Sequence, residues 1–294
     1  MLVKRFTQSD VAQRTCGPVV FATAVAVTAL FTVPLAVRAA SPNPAVQAGA
    51  VAVTPESIAR QVRDRDTGRD SRAEARMRIF DRRERVRERV MTLLTLRGRS
   101  GQGDRTLIRF SYPNDIRDTA LLVWEHPDGE DERFLYLPAL GRVRRVAGGE
   151  KQESFVGSDL SYEDVGGRDV AEYSYAFADQ NATWTAPDGS SHPAWGLESR
   201  AKDADAAFPR TVSLILKDRF IAVHAEIFNR RDERAKVFDV RRLERVDGIW
   251  TVLDLVVANQ RDKTRTELTT TTIRYNTGLT EKEFDRREIE RTQR

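Results

Sequence analysis

Between Met77 and Asn276 apolar side chains return mostly at every second position, in short runs broken by turn-forming residues. That is the period of half-buried β-strands. Met77 and Ile79 alternate with charged neighbours, and residues 86–96, 107–110, 120–124 and 134–137 follow as strands. Gly, Pro and Asn mark the turns between them at 99–103, 112–115 and 127–129. The second half repeats the pattern at 173–177, 182–185, 195–201, 211–217, 221–228, 236–242, 250–259 and 264–276. Asp218-Arg219, residues 230–233, Asp247-Gly248 and residues 260–263 stand where hairpin turns belong. For residues 78–96 a helix competes, because arginine, glutamate and leucine all favour one.

Helical spacing is confined to the two ends. Thr54-Pro55-Glu56 is a helix start: threonine caps, proline tolerates the first position, and the acid sits at the positive end of the dipole. Ile58 and Val62 then share one face as far as Arg63, before the polar loop at 64–70. Residues 279–290, with Phe284 and Ile289, read as a short terminal helix. About a dozen strands with few helices make either a closed barrel or a strongly curved antiparallel sheet with something over its concave face.

The composition adds a compartment. Lys4, Arg5 and Arg14 precede an apolar stretch at 19–37, and Val37-Arg38-Ala39 offers a small-residue cleavage site, so residues 1–39 read as an export signal. An uncleaved inner-membrane anchor is the alternative. Residues 40–53, rich in Pro and Ala, read as a flexible linker, and 54–294 as a single domain. Cys16, the only cysteine, precedes the apolar run and so is not placed for lipidation; the exported part has no disulfide and no thiolate metal site. The net charge of +4 falls to about +1 once the leader is removed, which argues against a nucleic-acid binder.

Catalytic and metal signatures are weak. Asp64-Arg-Asp-Thr-Gly-Arg-Asp70 resembles a calcium loop, but glycine falls fifth and the twelfth position is Ala75, so it reads as a polar turn. His126, His192 and His224 have no second ligand at metal spacing. Ser158 is the nearest candidate nucleophile and lacks the Gly-x-Ser-x-Gly elbow, so neither an enzyme nor a cofactor is expected. Phe110, Leu122, Trp124, Leu135, Leu137, Leu214, Leu216, Ile221 and Val223 sit on alternate strand positions and either line a cavity or fill a core. Arg142, Arg144 and Arg145 form a basic patch, facing anionic headgroups or a partner, or else pairing with Glu163 and Asp164. Within residues 157–164, GSDLSYED, Ser158 and Asp159 are placed to cap a turn and Tyr162 to lay its ring on the sheet.

The run FLYLP at 134–138, the basic cluster and GSDLSYED together resemble the outer-membrane lipoprotein-sorting family, the Lol-type periplasmic carriers. FSYPND at 110–115 and the strands at Lys236 and Trp250 extend the resemblance across roughly residues 56–284. It resolves residues 78–96 as strands. It implies a mainly β fold with few helices, an unclosed half-barrel of curved antiparallel sheet covered by a helical lid made of the N-terminal helix and residues 157–169. The implied protein is a periplasmic carrier that holds lipid or lipoprotein acyl chains as a monomer, beside an RND-type inner-membrane exporter, with Ser158, Asp159, Tyr162, Glu163 and Asp164 joining the arginines in partner contact. A periplasmic interaction subunit that carries no ligand is the alternative.

Overall fold

Thr54 accepts the Ser57 N–H at 3.1 Å while the Ser57 hydroxyl receives the Thr54 N–H at 3.0 Å. This reciprocal cap, with Pro55 in the first turn, starts helix α1 (Pro55–Asp64) as the sequence requires. The computed structural model describes residues 53–99, 102–127 and 129–290; the signal reading and the linker up to Ala52 lie outside them.

A first meander runs β1 (Asp70–Phe80), β2 (Val86–Leu96), β3 (Arg105–Tyr112), β4 (Ala120–Trp124), β5 (Glu132–Leu137) and β6 (Arg142–Arg145). The last is a strand that the alternation alone does not announce. The second meander is β7 (Tyr173–Asp179), β8 (Thr183–Thr185), β9 (Ser191–Ala201), β10 (Arg210–Leu216), β11 (Ala222–Phe228), β12 (Arg234–Val246), β13 (Ile249–Asn259) and β14 (Thr264–Tyr275). Residues 78–96 are strand and turn, with β2 paired to β1 from Phe80↔Val86 to Asp70↔Leu96.

The chain's first and last strands meet in the middle. β1 pairs antiparallel with β14, so the order is β6-β5-β4-β3-β2-β1-β14-β13-β12-β11-β10-β9-β7, with β8 attached to β9. The sheet is therefore one large antiparallel surface that does not close, and its bulges, such as those at Glu74/Ala75 and Leu214/Ile215, bend it. Because β6 and β7 are its opposite edges, the link between them has to cross the whole width of the sheet. That link, residues 146–172, is the lid. It contains α2 (Tyr162–Gly166), capped by Ser161, whose hydroxyl accepts the Asp164 N–H at 3.0 Å.

The lid fills one part of the inner face. Phe155 is fully buried, with its ring centroid 5.7 Å from that of Phe110 and 5.6 Å from that of Tyr162, over Met77, Met91, Ile108, Leu121 and Leu135. The outer face of the same strands is covered by the C-terminal tail. Phe284 and Ile289 of the tail, the latter closing α3 (Arg286–Ile289), pack on Leu94, Leu107, Leu122 and Phe134. Both faces of β2–β5 are thus buried, which is why Ala120–Val123 is apolar without alternation.

Candidate functional site

At the other side of the inner face the lid does not fill the space. Ile58, Ala59 and Val62 of α1 pack toward Leu197, Ile215, Tyr175 and Ala222 of the sheet and Val170 of the lid. Between them lies an open-mouthed hollow of about 330 Å³, walled by Ala59, Val62, Val170, Tyr173, Tyr175, Leu197, Ile215 and Ala222. Larger grooves of about 750 and 880 Å³ run beside Arg72–Arg274 and Asp64–Arg69, but they are open and lined largely by polar side chains. The hollow under α1 combines apolar walls with charged groups at its mouth.

Those groups are Arg63, Asp104, Glu125 and Arg168. Glu125 continues the inner-face row of Leu121 and Val123 by strand alternation and emerges at the end of β4. Its carboxylate lies 3.7 Å from the Arg63 guanidinium, so α1 is tied to the sheet across the mouth. Burial, reinforced by Asp104 and Asp131, pushes the Glu125 carboxyl up to about 7. Gly167 stands beside it with φ +90°, and an added Cβ there would come 3.0 Å from Glu125 Oε1. Only glycine combines that backbone with that clearance.

Arg168 is held from beneath. It donates to the Asp164 carboxylate at 3.0 Å, one helical turn back, and stacks 5.9 Å from the Tyr173 ring centroid. Burial works against its charge, but Asp164, with Tyr173 and Glu163 behind it, outweighs burial and raises the guanidinium above its ordinary value. Asp164 is lowered in spite of its own burial, chiefly by Arg168. Tyr173 donates to Glu163 at 2.8 Å, and burial pushes both Tyr173 and Tyr175 up, the latter to about 12. These tyrosines present neutral, weakly polar walls.

None of the nine residues expected to line a cavity borders this hollow. Phe110, Leu135 and Leu137 do face inward, but against Phe155 and Tyr162 of the lid. Leu122 and Trp124 face outward, where the Trp124 indole donates to the Phe284 carbonyl at 2.9 Å. Leu214, Leu216, Ile221 and Val223 pack around Trp184 and Val240, on the face opposite the hollow. The correction is one of parity. Ser213, Ile215 and Ala222 are their immediate neighbours, and a shift of one residue on a strand exchanges the faces.

The partner-contact set is corrected as well. Ser158, Asp159, Tyr162 and Glu163 are each 7 % exposed or less, so they form the frame of the lid and not a docking surface. Ser158 donates to the Phe155 carbonyl at 2.8 Å, closing the expected turn. Asp159 reaches across to β14, where it accepts from Thr264 at 2.5 Å and Thr266 at 2.8 Å, and Lys236 donates to its carbonyl at 2.7 Å. Arg144 pairs with Glu150 at 2.8 Å and Arg145 with Glu132 at 3.7 Å, not with Glu163 or Asp164, which are already engaged below the lid. Arg142 is exposed on the edge strand.

Sequence reasoning passed over Arg63, Glu125 and Arg168. Two signals for them existed: the i, i+4 spacing of Asp164 and Arg168, and the carboxylate of Glu125 in phase with Leu121 and Val123. Among the described residues no group of three or more His, Cys, Asp or Glu is placed to hold a metal ion.

Comparison with known proteins bears on the fold and the family. A family model described as an uncharacterized protein matches residues 102–291. A crystal structure of a DUF1329 family protein from Desulfovibrio piger is 30% identical, with a TM-score of 0.72, over 80% of this chain and 97% of that one. A domain from Vibrio parahaemolyticus described as an outer-membrane lipoprotein-sorting protein is 28% identical, with a TM-score of 0.72, over 80% and 98%. A LolA superfamily protein from Nitrosomonas europaea shares the fold at 12% identity, with a TM-score of 0.61, over 80% and 99%. Among curated proteins, none matches the chain.

Proposed function

The chain belongs to the DUF1329 family, and from that premise we propose that it is a periplasmic carrier that takes one acyl chain or a similar apolar tail into the hollow beneath α1. The observation that carries the reading is the hollow itself: apolar walls, a polar rim and a single helix, α1, across it. The description of the Vibrio relative as a lipoprotein-sorting domain supports the same class of cargo. The hollow's 330 Å³ is at the small end of ligand sites, about 300–1,000 Å³. That favours a single tail over a multiply acylated lipoprotein.

Binding needs no chemistry. Each methylene withdrawn from water contributes about 0.8 kcal/mol, so a tail of modest length is held firmly and still released when the lid opens. The action is binding and not catalysis: Ser158, the nearest candidate nucleophile, spends its hydroxyl on a backbone carbonyl and is 6% exposed. Delivery beside an RND-type exporter, by a monomer, is the finer form of this reading and rests on the resemblance in residues 134–164. A ligand-free interaction subunit is the second reading, favoured by the way Phe155, Leu160 and Tyr162 fill the rest of the inner face.

Native mass spectrometry of the purified protein separates the two. The carrier reading expects a bound lipid-sized mass that disappears in Ala222→Phe, which fills the hollow. A protein that is empty, and that binds no apolar fluorophore, overturns it.

A further inference from the structure

We propose that the hollow selects a single-chain amphiphile with a cationic, amine-bearing head group, received by Glu125 at the mouth. The proposal rests on the carrier reading and adds the head group to it. Glu125 lines the hollow, and among the described residues its carboxylate accepts no hydrogen bond; its one charged contact, Arg63, is at 3.7 Å, beyond hydrogen-bond reach. A half-buried carboxylate with vacant acceptor positions costs stability and is offset when a donor arrives.

The other charged groups at that end are already engaged. Asp104 accepts the Gly98 N–H at 2.9 Å. Asp131 accepts from Arg133 at 3.1 Å and from the His126 N–H at 3.1 Å. Arg168 is answered by Asp164 at 3.0 Å. Among the described residues that line this end, Glu125 and the Arg63 facing it are the charged groups without a hydrogen bond, Glu125 is the one acid among them, and Gly167 keeps the approach to Oε1 clear.

The sign of the head group follows from the surroundings. Glu125 is faced by Asp104 from the turn before β3, by Asp131 and Arg133 at the start of β5, by Arg63 from α1 and by Arg168 from the segment after α2. Arg168 is bonded to Asp164, and Arg133, whose buried Nε has no hydrogen-bond partner, is paired with Asp131 outside the walls of the hollow, so a carboxylate or phosphate head would have to compete with Glu125 for Arg63 with three acids nearby. An ammonium meets the reverse. It binds Glu125 in its ionised form, and in doing so replaces the hydration that burial took away.

The test is displacement of N-phenyl-1-naphthylamine from the full-length exported protein by dodecylamine, dodecanol and dodecanoate. At pH 8 dodecylamine is expected to displace the fluorophore at a concentration at least tenfold below that of the other two. Lowering the pH to 6 protonates Glu125 and is expected to shrink this advantage several-fold. In Glu125→Leu the amine is expected to lose its advantage over the other two probes. Equal displacement by the three probes, a preference for dodecanoate, or an amine preference that survives both pH 6 and Glu125→Leu overturns the head-group assignment and leaves the carrier reading standing. Failure of the fluorophore and all three probes to bind overturns both.

Discussion

Thr266 on β14 donates its hydroxyl to the Asp159 carboxylate at 2.8 Å and accepts the Asp159 N–H at 2.9 Å, so two residues far apart in the chain clasp the lid to the middle of the sheet. Thr266 is fully buried, and the Thr264 hydroxyl adds a third bond at 2.5 Å. Replacing Asp159 by Ala leaves both hydroxyls without their charged acceptor. Hydrogen bonds to charged groups are worth about 1.5–3 kcal/mol each, and partial rehydration offsets some of that. The expected loss is about 2–3 kcal/mol, read as a lower urea midpoint at unchanged slope, with faster amide exchange in residues 155–165. A variant as stable and as protected as the parent would show that the clasp is not what holds the lid.

Two arginine pairs of similar geometry are expected to differ in what they contribute. Arg168–Asp164 at 3.0 Å, within the lid, is 33% and 17% exposed, whereas Arg144–Glu150 at 2.8 Å is 39% and 35% exposed, so the difference lies mainly in the carboxylate. Arg168→Met leaves a partly buried carboxylate without its charged partner and should cost about 1–3 kcal/mol. Arg144→Ala should cost less than about 1 kcal/mol. Chemical denaturation of the two variants decides it; comparable losses would mean that the first pair is solvated.

Glu125 is expected to be bought at the expense of stability. Its folded carboxyl is raised to about 7, so the folded state binds the proton more tightly than the unfolded chain, and stability falls as pH rises from the ordinary glutamate range toward 7. Glu125→Gln removes that loss. It should be more stable than the parent by about 1–3 kcal/mol at pH 8, and by little at pH 4, where the parent is protonated in both states. Equal stabilities at pH 8 would remove the strain from the mouth of the hollow.

His224 and Asp239 form a second titrating pair, 2.7 Å apart on paired strands. The hydrogen bond to Asp239 raises His224 above its ordinary value and lowers Asp239 below its own. The histidine's contribution is complete below its unfolded pKa and disappears as pH rises through the higher folded value; the aspartate's is present above its unfolded pKa and lost in acid. The pair is therefore most stabilising between about pH 4 and 6.5. Thermal melts of the parent and His224→Gln should differ most near pH 6 and converge as pH rises through the raised histidine value, and a difference that never shrinks with rising pH would rule out the charged pair.

The lid was the part of the fold most legible before its contacts were known. Residues 157–164 carry glycine, a hydroxyl and an acid in an order that closes a turn, and Tyr162 has one greasy ring to bury. The turn is present in the Ser158–Phe155 bond, and the Tyr162 ring is buried, edge-on to Phe155 of the lid itself. Their outward role was misjudged because exposure cannot be read from polarity: Asp159 and Glu163 look like surface residues until Thr266 and Tyr173 are brought to them. The candidate site was the least legible part, since its walls come from α1, the lid and strands of the second meander, and its two acids, Asp104 and Glu125, from the first.

By itself the sequence determined what depends on neighbours along the chain. The strands and their turns follow from a period of two and from Gly, Asn and Asp, and α1 follows from the Thr54 cap and Pro55. Tertiary structure decided what depends on neighbours across the sheet. Where both faces are covered, as on β4 and β10, either parity is apolar, and only the bulge at Leu214/Ile215 and the crossing of the lid settle that Ile215 looks into the hollow and Leu216 away from it. The same holds for charge. Arg63 meets Glu125 because α1 and the end of β4 converge at one mouth, and no spacing along the chain encodes that meeting.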